Sequence, residues 1–372
     1  MRKTNVMGIV FPNAHDHLMG EMTEFRSMGS LPFCGRYRII DFSLSNLVNA
    51  GVSKVGIVTK NNYQSLMDHI GTGKAWDLDR KSGGLYFLPP YSNNEAKIYK
   101  GHVDGLFGAM TFLANSSEEY VVMCDGDIIT NFDLSAMIKR HINSGADVTI
   151  AYKKRIMPQN RHDVMAFELE GDKITDIKFS ATNTTDSCVS LDITIISRKL
   201  LIEIVKEGYE RNFTSIARDV YQRSLDKLDI RGFEITEYAA VMDSPETYAK
   251  VTAEIVNNPE IRRQLFFKDR PIFTKTRDDM PTIYGLDSDV KNSLIADGCV
   301  IEGTVKNSVL FRGVKIGKNA VVENCIVMQD SVIEDNTDLM YVTLDKKVKV
   351  TQGKTLRGTE TYPIYVRKKA EV

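Results

Sequence analysis

The chain has 372 residues, 42% of them hydrophobic, and its 48 basic and 49 acidic residues give a net charge of −1. This balance is typical of a globular protein with a large core, and it argues against broad electrostatic binding to nucleic acid or to a membrane. The five cysteines are widely spaced without a CxxC or Cys/His cluster, which argues against a disulfide framework or a zinc site. The apolar run near the N-terminus is too short for a signal peptide or a membrane span, so we expect a cytoplasmic protein.

Short apolar runs alternate with helical patterns through the first two thirds of the chain. Such alternation predicts an α/β fold with a mostly parallel sheet and helices on both faces. Ligands bind beyond the carboxyl ends of the strands in such sheets, so the loops after Phe11 and Cys124 are the candidate sites. The predicted elements are, in chain order, a strand over Val6–Phe11, a helix over Ile39–Ala50 closed by Gly51, a strand over Val55–Thr59, a helix over Leu106–Ala114, a strand over Tyr120–Cys124, a helix over Leu134–Asn143 and a strand over Val148–Tyr152.

Near residue 257 the composition changes to a stretch of mixed charge, with prolines and no periodicity, which indicates a connection between domains. Beyond it, small or aliphatic residues recur every six positions with Gly, Asn and Asp between them, as in a hexapeptide β-helix. We therefore predict a first domain over residues 1–256, a linker over 257–285 and a β-helix over 286–372. The two six-residue ladders are Leu310, Ile316, Val322, Met328 and Val314, Ala320, Ile326, Val332.

Three segments carry a resemblance to a known family. Phe33–Gly51, reading FCGRYRIIDFSLSNLVNAG, resembles the FGGKYRIIDFxLSN segment of ADP-glucose pyrophosphorylases. Glu119–Val122 resembles the family strand that leads to its metal-binding loop, and Gly298–Lys318 is close to the family's β-helix sequence. Over nearly its whole length the chain resembles bacterial glucose-1-phosphate adenylyltransferase (ADP-glucose pyrophosphorylase). The resemblance implies a nucleotidyltransferase (Rossmann-like) domain followed by a left-handed hexapeptide β-helix.

The loop after the first strand departs from the family's Gly-Gly-x-Gly-x-Arg fingerprint. Glycines there let backbone N–H groups approach the nucleotide phosphates, and the Arg and a later Lys supply positive charge. In this chain side chains crowd the phosphate cradle, both cations are lost, and a carboxylate repels phosphate. We therefore predict that no catalytic site is intact. The residues at the three glycine positions and at the Arg and Lys positions are Asn13, Ala14, Asp16, Leu18 and Met28.

One metal position of the family is kept and the other is lost. Asp127 follows a buried strand and matches the family's first magnesium-binding Asp, whereas the second aligns with Val241. Asp243 takes the second position only if the local register differs. The sugar-binding Glu-Lys-Pro motif aligns more weakly, with residues 179–181. The resemblance therefore implies a vestigial metal site at Asp127 and no cofactor required by this chain, with Mg²⁺ serving its catalytic partner.

The same losses are typical of the regulatory, GlgD-type subunit that accompanies the catalytic one in many Gram-positive bacteria. The resemblance implies a hetero-tetramer whose catalytic subunit converts ATP and glucose 1-phosphate to ADP-glucose and pyrophosphate, while this chain favours one conformation of the partner's active site. Two alternatives stay open: a weakly active sugar-phosphate nucleotidyltransferase, and a stand-alone sensor of sugar phosphates or nucleotides. An acyltransferase lacks support because all six histidines precede the repeats, so the β-helix has no histidine base.

The family's effector site for anionic metabolites lies near the domain junction and uses basic side chains. Arg26 and Arg38 stand at matching basic positions, whereas Phe25 and Pro32 replace two others. The resemblance therefore implies an anionic effector held by Arg26 and Arg38. The basic residues 367–369 near the C-terminus are interpreted as a solvated end.

Two histidines, His15 and His17, flank Asp16 in the loop after the first strand. Imidazole nitrogens beside a carboxylate are a combination that metal sites use. Connecting segments, however, almost always run over the protein surface. We therefore predict solvated histidine side chains here and not a metal site.

Overall fold

The computed structural model describes most of the chain, namely residues 4–90, 99–155, 163–179 and 187–372. Before the β-helix, the described residues form two short strand pairs and one large sheet. The strands are β1 (Val6–Phe11), β2 (Pro32–Phe33), β3 (Tyr37–Arg38), β4 (Lys54–Val58), β5 (Gly84–Leu88), β6 (Tyr120–Asp125), β7 (Ile128–Thr130), β8 (Val148–Arg155), β9 (Met165–Glu170), β10 (Lys173–Phe179), β11 (Ser187–Ser197), β12 (Ile230–Glu234) and β13 (Ala239–Val241).

The large sheet has the strand order β5-β4-β1-β6-β11-β8-β12-β10-β9. It is parallel from β5 to β6, as predicted, and the continuous apolar run of β1 is buried on both faces. β11 runs antiparallel to both of its neighbours, and β9 and β10 form a hairpin, so the other half of the sheet is mixed. The hairpin turns at Gly171, whose φ of 66° suits glycine, and a turn this short permits only antiparallel pairing.

Helices cover both faces of this sheet, which confirms the predicted α/β fold. Side chains of α1 and α5 pack on one face, and those of α3 and α6 on the other. Gly51 ends the first helix with a φ of 81°, as predicted. The helix predicted over 106–114 is instead two helices that meet at Ala109, because glycine at position 108 is a poor helix former. The described helices are α1 (Ile40–Asn49), α2 (Gln64–Ile70), α3 (His102–Gly108), α4 (Met110–Ala114), α5 (Leu134–Ser144), α6 (Arg198–Glu210), α7 (Pro245–Asn257) and α8 (Pro259–Leu265).

The segment 257–285, predicted as a linker, carries α8 and the first strand of the β-helix. The Asn258 side chain caps α8 by accepting a hydrogen bond from the Glu260 amide at 2.9 Å. Further along, the Phe273 N–H donates to Ser45 Oγ at 2.8 Å, so the connection runs along α1. The predicted domain limits, at residues 256 and 286, stay a prediction. None of the helices in the described ranges is long and apolar enough to cross a bilayer.

The C-terminal region is a β-helix of three parallel five-stranded sheets, which confirms the hexapeptide prediction. The first predicted ladder is buried throughout. Asn292, Asn307 and Asn324 form one corner with φ of 44°, 48° and 53°, a region that asparagine tolerates better than most residues. The strands are β14 (Ile283–Tyr284), β15 (Asp289–Lys291), β16 (Leu294–Ile295), β17 (Val300–Ile301), β18 (Thr304–Lys306), β19 (Val309–Leu310), β20 (Lys315–Ile316), β21 (Val321–Glu323), β22 (Ile326–Val327), β23 (Val332–Ile333), β24 (Asp338–Met340), β25 (Val342–Leu344), β26 (Lys349–Val350), β27 (Thr355–Arg357) and β28 (Ile364–Val366).

One hydrophobic cluster joins the β-helix to the first domain. Met19 and Phe33, from the segment that follows β1, belong to the same buried cluster as Phe311 and Met328 of the β-helix, and Tyr248 of α7 completes it. The loop that carries the degenerate fingerprint is therefore packed between the two domains.

Candidate functional site

The loops after β1 and β6 lie side by side, because these parallel neighbours end at the same edge of the sheet. Phe11, the last residue of β1, pairs with Asp125, the last residue of β6. The Gly126 N–H donates to the Phe11 carbonyl at 3.0 Å, and a Cβ on Gly126 would lie 2.8 Å from Pro12 Cα. Glycine at this position therefore lets the two loops approach, and Asp127 lies next to the loop that follows β1.

The Asp16 carboxylate is held inside the loop by the loop itself. Oδ1 accepts a hydrogen bond from the Met28 N–H at 2.7 Å, and Oδ2 accepts one from Asn13 Nδ2 at 3.3 Å. Thr23 Oγ1 donates to the Asp16 carbonyl at 2.7 Å. Burial raises the pKa of the Asp16 carboxyl from 3.8 to about 6, and the hydrogen bonds oppose part of this rise. A backbone amide of this loop is thus already bonded to an anionic group of the chain.

The two positions at which the resemblance expects cations are apolar and packed. Met28 is 1% exposed, and Leu18 is half-buried against the cluster that joins the two domains. A lysine or arginine at either position would bring a charge to an apolar contact, which is costly without a partner. The loss of both cations therefore coincides with packing between the first domain and the β-helix.

His15 is buried beside the buried carboxylates of Asp125 and Asp127, and the prediction of a solvated side chain is wrong for it. Its Nδ1 is 2.7 Å from Asp127 Oδ2 and 3.8 Å from Asp125 Oδ2, and its Nε2 is 2.9 Å from Asp163 Oδ2. His17 is exposed, as predicted. The ligand-type atoms of His15, Asp125 and Asp127 all lie within 4.8 Å of one another. The sequence did not predict this burial of His15, because the general rule that loops lie on the surface was given more weight than the position of His15 close to the end of β1.

His102, at the start of α3, was not singled out from the sequence. Its Nε2 is 3.0 Å from Asp125 Oδ1, and its ring meets the Phe11 ring edge-on with centroids 4.6 Å apart. Burial lowers the pKa of His102, but the charge and hydrogen bond of Asp125 outweigh burial and raise the pKa above 6.5. Asp125 therefore has histidines near both of its oxygens, His102 and His15.

The side chain aligned with the family's second metal position does not belong to the group of His15, Asp125 and Asp127. Val241 ends β13, pairs with Ile128 of β7, and packs with it in the apolar cluster under α1 and α5. Asp243 is 8% exposed, and in the described ranges its carboxylate is not among the ligand-type atoms grouped with His15. Of the sugar motif, Phe179 ends β10, and positions 180 and 181 lie outside the described residues.

A cavity of about 270 Å³ opens beside these loops. Its wall combines apolar side chains with two lysines, three histidines, hydroxyl groups and the carboxylates of Asp125, Asp163 and Asp192, so it is of mixed charge. Asn13 and Ala14, at the first two glycine positions, line it, so its loop side carries side chains where the resemblance expects bare backbone. The further polar residues of the wall are His15, His17, Lys60, Tyr99, Lys100, His102, Thr214 and Ser215.

Comparison with known proteins identifies the family. Residues 21–178 match the nucleotidyl transferase family, and residues 283–360 match the GlmU-like C-terminal hexapeptide family. The chain is 35% identical over 369 residues to the glycogen biosynthesis protein GlgD of Bacillus subtilis (strain 168), covering 99% of this chain and 97% of that protein. The chain belongs to the GlgD family.

A second GlgD and an enzyme show the breadth of this relationship. The glycogen biosynthesis protein GlgD of Geobacillus stearothermophilus is 37% identical over 372 residues, with 98% of this chain and 96% of that protein covered. The glucose-1-phosphate adenylyltransferase of Fervidobacterium nodosum is 30% identical over 352 residues, with 89% and 84% covered. These matches confirm the resemblance found in the sequence, and they confirm a nucleotidyltransferase domain followed by a hexapeptide β-helix.

The two arginines predicted to hold an effector have different surroundings in this GlgD-family chain. Arg26 is 2% exposed, and its Nη2 donates to both oxygens of Asp345 at 2.8 and 2.7 Å. The Tyr365 hydroxyl donates to the same carboxylate at 2.6 Å. Arg38 Nη1 donates to the Ser65 carbonyl at 2.6 Å, and burial lowers the pKa of Arg38 to about 10. Arg26 is thus paired within the domain junction, while its charge is close enough to lower the pKa of Arg38 further.

Arg38 lines a second cavity, of about 310 Å³, between the first domain and the β-helix. Six basic side chains line it beside the two carboxylates Asp68 and Asp330, and this excess of positive charge favours an anion. Burial, together with the charges of Arg38 and Arg26, lowers the pKa of Lys346 to about 7. The basic residues of this wall are Arg36, Arg38, Lys275, Arg277, Arg312 and Lys346.

Of the basic C-terminal residues, Arg367 is largely exposed and pairs with Glu21 of the loop after β1. An exposed pair of this kind contributes little to stability. Arg367, Lys368 and Lys369 are not among the residues that line the second cavity. The side chains of Arg367 and Lys369 are exposed, as interpreted, whereas Lys368 is half-buried and burial lowers its pKa.

Proposed function

We propose that this chain is a non-catalytic, regulatory subunit that acts with a catalytic glucose-1-phosphate adenylyltransferase in glycogen biosynthesis. The observation that carries the proposal is the Asp16 carboxylate, which accepts the Met28 N–H at 2.7 Å within the loop that the resemblance assigns to phosphate. Membership of the GlgD family supports the pathway, since relatives of this chain bear the name glycogen biosynthesis protein.

Several requirements of nucleotidyl transfer are missing from the same loop. Catalysis of this kind depends on donors and cations aimed at the charge that develops in the transition state, and one such group is worth about 10²–10³ in rate. Leu18 and Met28 supply no charge and are packed against the domain junction. Asp16 adds a negative charge close to where phosphate would enter. Losses that act on one transition state need not add, but together they leave little catalysis.

The subunit acts on its partner through contacts that favour one conformation of the catalytic subunit. In the proposed hetero-tetramer, an anionic effector binds in the second cavity of this chain, with Arg38 and Arg277 among its ligands. The anion offsets the mutual repulsion of the basic wall. Arg26 instead stabilises the domain junction through Asp345. Because coupling of this kind is reciprocal, the partner's substrates also change the affinity of this chain for the effector.

The test measures pyrophosphate release by the isolated chain, by the catalytic homologue alone, and by their co-purified complex with Mg²⁺. We expect background turnover from the chain alone and a change of about fivefold or more in the kinetic constants of the homologue in the complex. Turnover by the isolated chain within about tenfold of the homologue contradicts the proposal. So does a homologue whose kinetics the chain leaves unchanged.

The effector part has its own test, with inorganic phosphate and pyrophosphate as probes of the second cavity. Arg277→Ala removes a cation from the cavity wall, and Arg263→Ala is the matched control, because Arg263 is exposed on α8 and pairs with Glu260. We expect Arg277→Ala to weaken anion binding by about tenfold or more and Arg263→Ala to leave it unchanged. Equal binding by both variants contradicts an effector site in this cavity.

A further inference from the structure

A groove between α7 and the β-helix takes no part in the proposed function. It has a volume of about 500 Å³, which is within the range of small-ligand sites. On one side, Ala249 and Ala253 lie one turn apart on α7, and their small side chains leave the groove open. The other side consists of equivalent residues from three successive coils of the β-helix, whose paired strands lie about 4.8 Å apart. The groove therefore extends along the axis of the β-helix, as a site for a chain-like ligand would.

One corner of the β-helix changes its residue type where it borders this groove. Asn307 and Asn324 form the corner in two successive coils with φ of 48° and 53°, a conformation that asparagine tolerates. In the next coil Tyr341 takes the corner with a φ of 51°, and its N–H donates to the Glu323 carbonyl, just as the Asn324 N–H donates to the Lys306 carbonyl. A bulky residue is strained in this region, and such strain clusters at functional positions. Because Tyr341 lines the groove, the strain marks the groove as a binding site.

The same coil carries a second departure from the repeat, at Thr343. Val309 pairs with Ile326, and Ile326 pairs with Thr343, so a hydroxyl stands where the two preceding coils have aliphatic side chains. Thr343 lines the groove and is 6% exposed, and within the described ranges its Oγ1 makes no hydrogen bond. A buried hydroxyl is costly without a partner. Its orphaned hydroxyl is therefore available to a ligand in the groove.

The remaining polar residues of the wall select the class of ligand. Asn324 lines the groove, and in the part of the chain that the structure describes its side-chain amide, which both donates and accepts, makes no hydrogen bond. The charged residues are Lys250, Glu254 and Glu360, so this wall has no excess of positive charge to attract phosphate. A tyrosine ring has an apolar face, which packs against the C–H face of a sugar ring, while amides and hydroxyls bond to the hydroxyl groups of the sugar.

We propose that this groove binds a neutral oligosaccharide of glucose units, with Tyr341 packed on a sugar ring and Thr343 bonded to a sugar hydroxyl. Only the choice of glucose rests on the proposed function in glycogen biosynthesis. A subunit with such a site holds its assembly close to the polymer that the pathway extends. The test measures sugar binding and not turnover or regulation, so this inference can fail while the proposed function holds, and the reverse is also true.

The experiment titrates the full chain with maltoheptaose by isothermal titration calorimetry. We expect the wild-type chain to bind with a dissociation constant of about 1 mM or lower. Tyr341→Asn restores the corner residue of the preceding coils, so the affinity should fall at least about tenfold while the melting temperature stays the same or rises. Thr343→Val restores an aliphatic residue and should weaken binding about fivefold. Tyr209→Asn is the matched control, because Tyr209 is exposed on α6 and does not line the groove, and it should bind as the wild type does.

Three results overturn the proposal. The first is a wild-type chain that shows no binding at about 10 mM maltoheptaose. The second is binding that Tyr341→Asn and Thr343→Val both leave unchanged. The third is a folded Tyr341→Asn chain that binds the sugar normally but loses affinity for the catalytic homologue, because the groove would then be a protein interface. If Tyr341→Asn does not fold, Thr343→Val decides: unchanged affinity overturns the proposal, and a loss of about fivefold supports it.

Discussion

Asp16 shows how one side chain changes both the function and the stability of the loop. Its carboxylate bonds to the Met28 amide, yet burial raises its pKa to about 6 from 3.8. The folded state therefore binds this proton more tightly than the unfolded state does. Its contribution to stability is fully present below about pH 4 and is lost as the pH rises through about 6. The ionised carboxylate that repels phosphate thus also costs the fold stability at neutral pH.

We therefore expect Asp16→Asn to be more stable than the wild type by about 1 kcal/mol above pH 6, because the amide oxygen still accepts the Met28 N–H without burying a charge. Below about pH 4 the difference should vanish, since Asp16 is then protonated. Thermal melting across this pH range checks the prediction. Asp77→Asn is the control, because Asp77 is exposed, and its curve should follow the wild type. Wild-type and Asp16→Asn curves that stay parallel throughout would refute this account.

Single residues also show where sequence reasoning stopped. The substitutions at Asn13, Asp16 and Leu18 were found by alignment alone, because a fingerprint fixes residue types along the chain. The pairing of His15 with Asp127 and Asp163 was not found, because it depends on side-chain directions across 112 and 148 positions of sequence. Arg26 and Arg38 look alike in sequence, but they differ in structure because Asp345 lies beside one of them.

At the scale of elements, periodicity predicted the strands and helices that have one strong pattern. Val6–Phe11 and the six-residue ladders are read directly from apolar spacing, and the structure confirms them. The antiparallel insertion of β11 between β6 and β8 was not predicted, since strand order depends on the path of the chain and not on local pattern. The break between α3 and α4 at Ala109 was missed because the apolar spacing continues through it.

The loop after β1 is packed into the domain junction as a unit. Restoring the family's fingerprint residues alone should therefore not restore catalytic activity. We expect the variant Asn13→Gly, Ala14→Gly, Asp16→Gly, Leu18→Arg, Met28→Lys to stay below about 1% of the turnover of the catalytic homologue. The new cations would enter the cluster that joins the domains, and Val241 would still supply no carboxylate. We also expect a loss of stability of about 3 kcal/mol or more, mainly from the charge that Met28→Lys buries.

Pyrophosphate release and urea unfolding check this prediction together. The three glycine substitutions alone are the control, because they leave Leu18 and Met28 in the cluster and should cost about 1 kcal/mol each or less. A folded five-fold variant with turnover within about tenfold of the homologue would show that the loop alone removed activity. Adding Val241→Asp to the five-fold variant tests whether residue 241 aligns with the family's second metal-binding Asp. A rise in turnover of about tenfold in folded protein would assign that metal position to residue 241.

At the scale of the molecule, the two domains share a core and an ion pair. Phe33 of the first domain and Phe311 of the β-helix belong to one buried cluster, and the Arg26–Asp345 pair lies at the same junction. A β-helix held in this way cannot move without disturbing the loop after β1 or the basic cavity. Because the core and the ion pair connect the two domains, an anion that binds at the junction can shift the conformation of both of them.

The two ends of the β-helix differ, and this difference predicts where the chain assembles. At the C-terminal end, the last residues close the coil: the Lys349 N–H donates to the Ala370 carbonyl at 3.0 Å and the Thr351 N–H to the Val372 carbonyl at 2.8 Å. At the other end, β14 is the outermost strand of its sheet in the described chain. Unpaired edges and apolar coil ends require a cap or a partner.

Apolar side chains are most exposed at this N-terminal end of the β-helix. Met280, Ile283 and Leu286 are 79%, 58% and 105% exposed, a grouping that marks an interaction surface in a folded protein. We expect the double variant Ile283→Asp, Leu286→Asp to assemble more weakly, whether with copies of this chain or with the catalytic homologue. The dissociation constant of the assembly should rise by about 30-fold, which corresponds to about 2 kcal/mol. Tyr362→Asp is the control, because Tyr362 is 75% exposed but lies elsewhere on the β-helix, next to β28. Sedimentation velocity at micromolar concentration measures the result, with thermal melting to show that each variant is folded. If the double variant assembles as the wild type does, or if the wild-type chain is a monomer that also fails to bind the homologue, the β-helix end is not the interface.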